Sequence, residues 1–183
     1  MKPLIIALAM SAFGIASAIV SADSWPGSRP QVYASANGTY RFKTLPPQLN
    51  TWSGKSHGTL VTMAAAGGTE TAVWSRDLVN IPVSAYVAND GKHVVTLDTW
   101  AKLGYEHALV IYGEDGAVVT DYDLDVLLSG DEIANSVVHT MSARRWLQGA
   151  TIAFDRRAEH VVITLHWGKV LRVALATGKV EAS

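Results

Sequence analysis

Short apolar segments alternate with polar turns along most of the chain. In the segment Val118–Tyr122, Val118, Thr120 and Tyr122 share one face, while Val119 and Asp121 share the other. This two-residue period, bounded by glycine-containing turns, predicts antiparallel β-strands. The turns are Asn37-Gly38, Gly67-Gly68, Asn89-Asp90-Gly91, Glu114-Asp115-Gly116, Trp167-Gly168-Lys169 and Thr177-Gly178-Lys179.

These turns divide the strands into three groups. About twelve short strands fit between the turns, four to a group, and Asn-Gly is the strongest two-residue hairpin signal among them. We therefore predict an all-β fold of antiparallel four-stranded meanders. The meanders are blade-like and could form either a partial propeller or a β-sandwich.

Two tracts at a fixed offset are alike. The tract His93–Trp100 and the tract His160–Trp167 both begin with His-Val-Val and both end on tryptophan, with no gap between the matches. Similarity at a fixed offset indicates that one supersecondary unit is used more than once.

The middle unit resembles a known repeat. Tyr86–Leu97, then Ala108–Tyr112 and Asp115–Val119, resembles one blade of the bacterial β-propeller repeats of the YVTN and NHL kind, with an Asp-Gly-Lys turn between its first strands. The tail Val170–Val180 is similar to the closing hairpin of another blade. The resemblance implies about three blade-like units. It assigns no catalytic residues, since such propellers serve many functions. Closed propellers have 4–8 blades, so a half-ring completed by a second chain, as a homo-oligomer, and a sandwich both stay open.

One segment departs from the β pattern. Ser129 and Glu132 have the spacing of a helix-capping box. Ile133, Val137 and Met141 then recur at helical spacing. These positions predict one short inserted helix over about 130–141, with its apolar stripe facing the core.

The first 22 residues predict a secretory signal peptide. Lys2 precedes an apolar stretch from Leu4 to Val20, and small-residue exits follow that allow cleavage after Ala18 or Ala22. The alternative is an uncleaved anchor, but the apolar run is shorter than the roughly 20 residues that span a bilayer. We therefore expect a single β-rich domain over 23–183, periplasmic or secreted, with no membrane span after cleavage.

The composition excludes several classes of function. The chain has 15 Lys+Arg, 16 Asp+Glu and a formal net charge of -1. The basic footprint of a nucleic-acid binder is therefore missing. The chain also has no cysteine, which excludes thiolate catalysis, iron–sulfur clusters and cysteine-type zinc sites.

Metal and nucleophile motifs are also missing. No His-Glu-x-x-His, Gly-x-Ser-x-Gly or phosphate-loop motif occurs. The acidic residues Asp121, Asp123 and Asp125 are weak candidates for calcium, with a solvated acidic face as the alternative. Otherwise we expect no cofactor. A Ser/His/Asp triad is recognised by geometry, so Asp98, His93 and Ser84 stay open as members of one.

The best candidate for ligand contact is the loop between two well-defined strands. Loops on a rigid β-scaffold commonly hold function. This loop carries Asp98, Trp100, Tyr105, Glu106 and His107. Its tryptophan could pack in the core or form an exposed platform for a glycan or peptide.

Two functions follow from these features. We expect an exported, non-catalytic β-repeat domain that binds a protein partner or a cell-envelope ligand. The alternative is a periplasmic hydrolase, with or without a metal, that uses Asp98, His107 and the cluster Asp121 to Asp125. Convergence of a histidine and two carboxylates around a pocket would favour the hydrolase.

Overall fold

A computed structural model describes residues 25, 27–47, 55–63 and 69–181 of the chain. The predicted signal peptide, its two cleavage positions and the Gly67-Gly68 turn lie outside these residues. Within the described ranges, no helix is both long and apolar enough to cross a membrane.

Three four-stranded antiparallel sheets follow one another along the chain, and in each sheet every strand pairs with the next in sequence. This arrangement confirms the predicted all-β fold of blade-like meanders. The first sheet contains β1 (Gln31–Ala34), β2 (Tyr40–Leu45), β3 (His57–Met63) and β4 (Glu70–Asp77). The middle sheet contains β5 (Pro82–Val87), β6 (Val94–Thr99), β7 (Leu109–Tyr112) and β8 (Val118–Tyr122).

An insert separates the middle sheet from the last. It contains α1 (Leu124–Leu127), α2 (Gly130–Ser136), and a two-stranded ribbon of β9 (Val138–His139) and β10 (Arg144–Arg145). The last sheet contains β11 (Thr151–Phe154), β12 (His160–Thr164), β13 (Val170–Ala174) and β14 (Val180–Glu181).

The first two strands of each four-stranded sheet are joined by the same six-residue turn. The turns are Ser35–Tyr40, Ala88–His93 and Asp155–His160, and in each the first residue donates its N–H to the carbonyl of the sixth, at 2.9 to 3.0 Å. The fourth residue has a positive φ in all three: 71° at Gly38, 72° at Gly91 and 53° at Ala158. The repeat indicated by the tracts at His93 and His160 therefore extends to the first sheet.

The two central strands of the middle sheet, β6 and β7, are buried on both faces, and every one of their residues is buried. One face packs on the first sheet through Val94, Val110, Tyr112, Phe42, Leu60 and Trp74. The other face packs on the last sheet through Val95, Leu97, Leu109, Val161, Ile163 and Val173. The hydrophobic core thus lies in two layers, and burial of this apolar surface is the main stabilising contribution.

The predicted helix over 130–141 is only partly correct. Ser129 and Glu132 form the full capping box, but α2 ends at Ser136 and Val137 is already extended, with φ -94° and ψ 132°. The chain leaves the helix there because Val138 begins the ribbon that pairs with Arg145. Met141 was predicted to face the core and is instead 71% exposed.

Strand register places the connections on two opposite sides of the molecule. The turn side carries Ser35–Tyr40, Ala88–His93, Gly113–Ala117, Asp155–His160 and Ala174–Lys179. The loop side carries residues 27–30, 78–81, 100–108, 123–150 and 165–169. The predicted ligand-binding loop and the insert therefore emerge on the same side.

Candidate functional site

A buried carboxylate anchors the loop side. Asp98 is 3% exposed, and its Oδ1 accepts hydrogen bonds from the backbone N–H of Gly104 and the indole Nε1–H of Trp146, both at 2.9 Å. Its backbone has φ 58°, a left-handed conformation that aspartate tolerates better than most residues. Asp98 therefore ties the loop 100–108 to the insert 123–150 from beneath the surface.

Burial also changes the acidity of this carboxylate. Removal of water raises the pKa of Asp98 from 3.8 to about 6, although the hydrogen bonds from Trp146 and Gly104 lower it and offset part of the rise. The charged form of Asp98 is consequently costly to the fold, and its place in the structure is that of a tether.

The loop and the insert fit together at a glycine. Gly104 has φ 69°, and a Cβ there would lie 2.7 Å from the carbonyl oxygen of Arg144. This close approach allows the backbone N–H of Arg144 to donate to the carbonyl of Leu103 at 2.9 Å. The guanidinium of Arg144 then lies 4.5 Å from the centre of the Tyr105 ring and 2.7 Å from Asp125 Oδ2. The predicted Tyr105 is 37% exposed, and this contact with Arg144 is of the cation–π kind.

His107 contacts two of the three predicted acidic residues. Its Nδ1 lies 2.8 Å from Asp121 Oδ2, and its backbone N–H donates to Asp123 Oδ1 at 3.1 Å. Asp125 instead pairs with Arg144. Among the described residues, the ligand atoms of the three candidate calcium ligands do not come within 4.8 Å of one another as a group.

In the part of the chain that the structure describes, one set of potential metal ligands has its ligand atoms within 4.8 Å of one another: Asp155, Glu159 and His160. Nδ1 of His160 lies 2.9 Å from Asp155 Oδ2, and Nε2 lies 3.0 Å from Glu181 Oε1. The hydrogen bond with Asp155, and that with Glu181, raise the pKa of His160. Both ring nitrogens of His160 already contact carboxylates, and the guanidinium of Arg172 pairs with the same Asp155 and Glu181, so we interpret this set as an ion-paired network.

A cavity of about 510 Å³ opens on the loop side. We call it the tryptophan cleft; its walls include Trp25, Arg29, Gln31, Thr44, Ser56 and Trp100. The rings of Trp25 and Trp100 meet edge to face, with centres 6.2 Å apart. The indole of Trp25 also donates to Ser142 Oγ at 3.0 Å, which connects the cleft to the insert.

A second cavity of about 350 Å³ adjoins this cleft, since Ser56, Ile81 and Trp100 line both. Its walls also include Lys102, Glu106 and His107, and the Lys102 ammonium pairs with Glu106 at 2.7 Å. Three of the five residues predicted for ligand binding, Trp100, Glu106 and His107, are therefore brought to one place. Tyr105 lies by Arg144, and Asp98 lies underneath.

Sequence reasoning missed a buried polar residue in the wall of the second cavity, Asn80. Its amide donates to Thr96 Oγ1 at 3.1 Å and to the Asp98 carbonyl at 3.0 Å, and it accepts from the Tyr112 hydroxyl at 3.2 Å. Asn80 lies in a short connection between strands, and nothing in the local pattern marks it. Arg29 was missed as well, because it belongs to an irregular entry segment in which nothing marks it.

No family model matches this chain, and no curated protein matches it. Among solved structures, the periplasmic gluconolactonase of Pseudomonas aeruginosa is similar, with 18% sequence identity and a TM-score of 0.43 over 86% of this chain. The match covers 39% of that protein, so this chain spans about two-fifths of its length. A likeness this low assigns neither a family nor an activity.

Proposed function

We propose that the protein is an exported binding module that holds a cell-envelope glycan in the tryptophan cleft, without catalysis there. The observation that carries this proposal is the Trp25–Trp100 pair, whose ring centres are 6.2 Å apart in the wall of the cleft. Tryptophan combines a large apolar ring with a polar N–H, and it is a frequent anchor in binding sites.

The chemistry of the cleft suits a sugar. Its volume of about 510 Å³ lies within the range of small-ligand sites, which are mostly apolar with a few polar groups that fix orientation. A pyranose ring has an apolar C–H face that can pack against an indole. Its hydroxyls can hydrogen-bond to the guanidinium of Arg29, the amide of Gln31 and the hydroxyl of Thr44.

The cleft is held in shape before any ligand arrives. The backbone N–H of Trp100 donates to the carbonyl of Ile81 at 2.9 Å, and Asp98, two residues earlier, is fixed by Gly104 and Trp146. Little ordering is then required on binding, which lowers the entropic cost of association.

The arrangement of the predicted residues supports the hydrolase alternative less well. The imidazole of His107 contacts one carboxylate, that of Asp121, while Asp98 bonds to Gly104 and Trp146. The ring of His107 and two carboxylates therefore do not converge around one pocket, as a hydrolase site of these residues would require. The geometry of the loop side therefore favours binding over hydrolysis.

Isothermal titration calorimetry with a soluble peptidoglycan disaccharide-peptide tests this proposal. We expect binding by the unaltered protein and a loss of roughly 30-fold in affinity for Trp100→Ala, the size expected for an aromatic hot spot. Trp167→Ala is the matched control, because Trp167 lies on the loop side but outside the tryptophan cleft. Absence of binding by the unaltered protein, or equal affinities of the two variants, would contradict the proposal.

A further inference from the structure

The outer face of the first sheet carries a serine, a histidine and an aspartate in one hydrogen-bonded line. Nε2 of His57 lies 2.8 Å from Ser75 Oγ, and Nδ1 of the same ring lies 3.0 Å from Asp77 Oδ1. This is the order of contacts in a Ser-His-Asp triad, which is recognised by geometry and not by position in the chain. We propose that these three residues form a hydrolytic site that cleaves small activated carboxylic esters.

Strand register brings the three side chains together. His57 in β3 is directly opposite Asp77 in β4, and Thr59 is opposite Ser75. Trp74, which precedes Ser75 in β4, is buried against the middle sheet. Since side chains alternate along a strand, His57, Ser75 and Asp77 share the opposite face, where diagonal neighbours are within reach of each other.

The site is open to substrate. The side chains of His57 and Asp77 are 44% and 65% exposed, and Ser75 is also exposed. The hydroxyl of Thr59 lies 2.8 Å from Ser75 Oγ and adds a polar contact beside the serine. An open sheet face can admit a small ester with a good leaving group without any movement of the backbone.

The chemistry follows from the contacts. Ser75 Oγ attacks the ester carbonyl carbon while Nε2 of His57 takes the serine proton. The bond to the leaving oxygen breaks, that oxygen receives the proton from His57, and an acyl-Ser75 remains. Water then attacks the acyl carbon, with His57 again taking a proton and returning it to Ser75 as the carboxylic acid leaves. Asp77 orients the ring and stabilises its charged form.

This site is separate from the residues that the sequence left open for a triad. Asp98 bonds to Gly104 and Trp146, and Nδ1 of His93 is buried with no hydrogen-bond partner in the described structure. The site is also separate from the tryptophan cleft, whose walls do not include Ser75, His57 or Asp77. Failure of one proposal therefore leaves the other intact.

Covalent labelling provides the sharpest test. We expect a fluorophosphonate probe to modify the folded protein at Ser75, as located by peptide mass spectrometry, and His57→Gln to abolish the label. Ser84→Ala is the matched control, since Ser84 is also a strand serine but makes no hydrogen bond to a histidine among the described residues. In this variant the label at Ser75 should persist. No adduct at Ser75, or an adduct that persists in His57→Gln, would overturn the proposal.

Turnover of an aryl acetate tests the role of Asp77 as a positioning residue. We expect Ser75→Ala to reduce hydrolysis to the background rate, a loss of roughly 10²-fold or more. Asp77→Asn should lower kcat with little change in KM, and Asp77→Glu should restore part of it. Unchanged hydrolysis by Ser75→Ala would overturn the assignment, while equal rates for the two Asp77 variants would remove Asp77 from it. Thermal unfolding of each variant confirms that the fold persists.

Discussion

On the turn side of the molecule, the first two strands of each four-stranded sheet are joined by the same six-residue turn. In each turn the N–H of the first residue donates to the carbonyl of the sixth, and the N–H of the fourth donates to the carbonyl of the first. On the loop side, the connections 78–81, 100–108, 123–150 and 165–169 differ from one another in length and structure. The repeated sheets need only one side to fix their strand pairing. The other side is then free to carry loops, and it is there that the tryptophan cleft lies.

A single pair of matched positions shows the difference. Asp98 in the middle sheet corresponds to Leu165 in the last sheet, since each lies five residues after the histidine that opens its tract. Both are buried, at 3% and 2% exposure. Leu165 leads into a tight turn closed by Lys169, whereas Asp98 leads into the long loop and bonds to Trp146 of the insert. Replacement of an apolar side chain by a hydrogen-bonding one thus accompanies the elaborated loop.

The largest expected effect comes from removing that tether. Asp98→Ala leaves the N–H groups of Gly104 and Trp146 without their acceptor, and each such buried donor costs about 1–3 kcal/mol. We expect the free energy of unfolding, measured with urea, to fall by about 2–5 kcal/mol. Amide exchange in residues 100–108 should also accelerate.

The matched control for this change is Leu165→Ala. It should destabilise by a comparable amount, because a buried leucine leaves a cavity worth about 2–5 kcal/mol. It should not accelerate exchange in the loop 100–108, since Leu165 bonds to no residue there. Equal exchange in the two variants would show that Asp98 is not what holds the loop.

The next largest expected effect is a dependence of folding stability on pH. The folded pKa of Asp98 is about 6 against 3.8 for the free group, so the folded state binds the proton more readily than the unfolded state. The stability contributed by this group is full below pH 4 and is lost as pH rises through 6. At 1.36 kcal/mol per unit, the loss is at most about 3 kcal/mol.

Asp98→Asn isolates this contribution. The amide oxygen can still accept from Gly104 and Trp146, asparagine tolerates the left-handed backbone, and no charge is buried. We expect the stability of the variant minus that of the unaltered protein to increase between pH 4 and pH 7. The difference in stability between the two proteins cancels the titration of all other groups. A difference that is constant with pH would contradict the raised pKa of Asp98.

The same comparison explains what could be predicted from the sequence. The strands and the turn side depend on local signals, such as Asn-Gly turns and two-residue alternation, and the capping box at Ser129 is equally local. The candidate sites depend on contacts between distant residues. Trp25 meets Trp100, and His57 meets Ser75 only through the register of β3 and β4, which no single segment reveals.

The smallest effects test whether the three six-residue turns are equivalent. At Gly91, with φ 72°, an added Cβ would lie 2.3 Å from the ring of Tyr40, so the clash adds to the cost of a left-handed alanine, about 1–2 kcal/mol. We expect Gly91→Ala to reduce the free energy of unfolding by about 2 kcal/mol or slightly more. Ala158 already occupies the same turn position at φ 53°.

The reciprocal change, Ala158→Gly, relieves the left-handed alanine but also adds freedom to the unfolded chain, which costs about 0.4–1 kcal/mol. The two terms nearly cancel, so we expect a change of less than about 1 kcal/mol in urea unfolding. If Gly91→Ala proved as mild as Ala158→Gly, the contact with Tyr40 would not constrain the middle turn. The repeated turn would then tolerate alanine because of its own geometry, whatever side chain lies across from it.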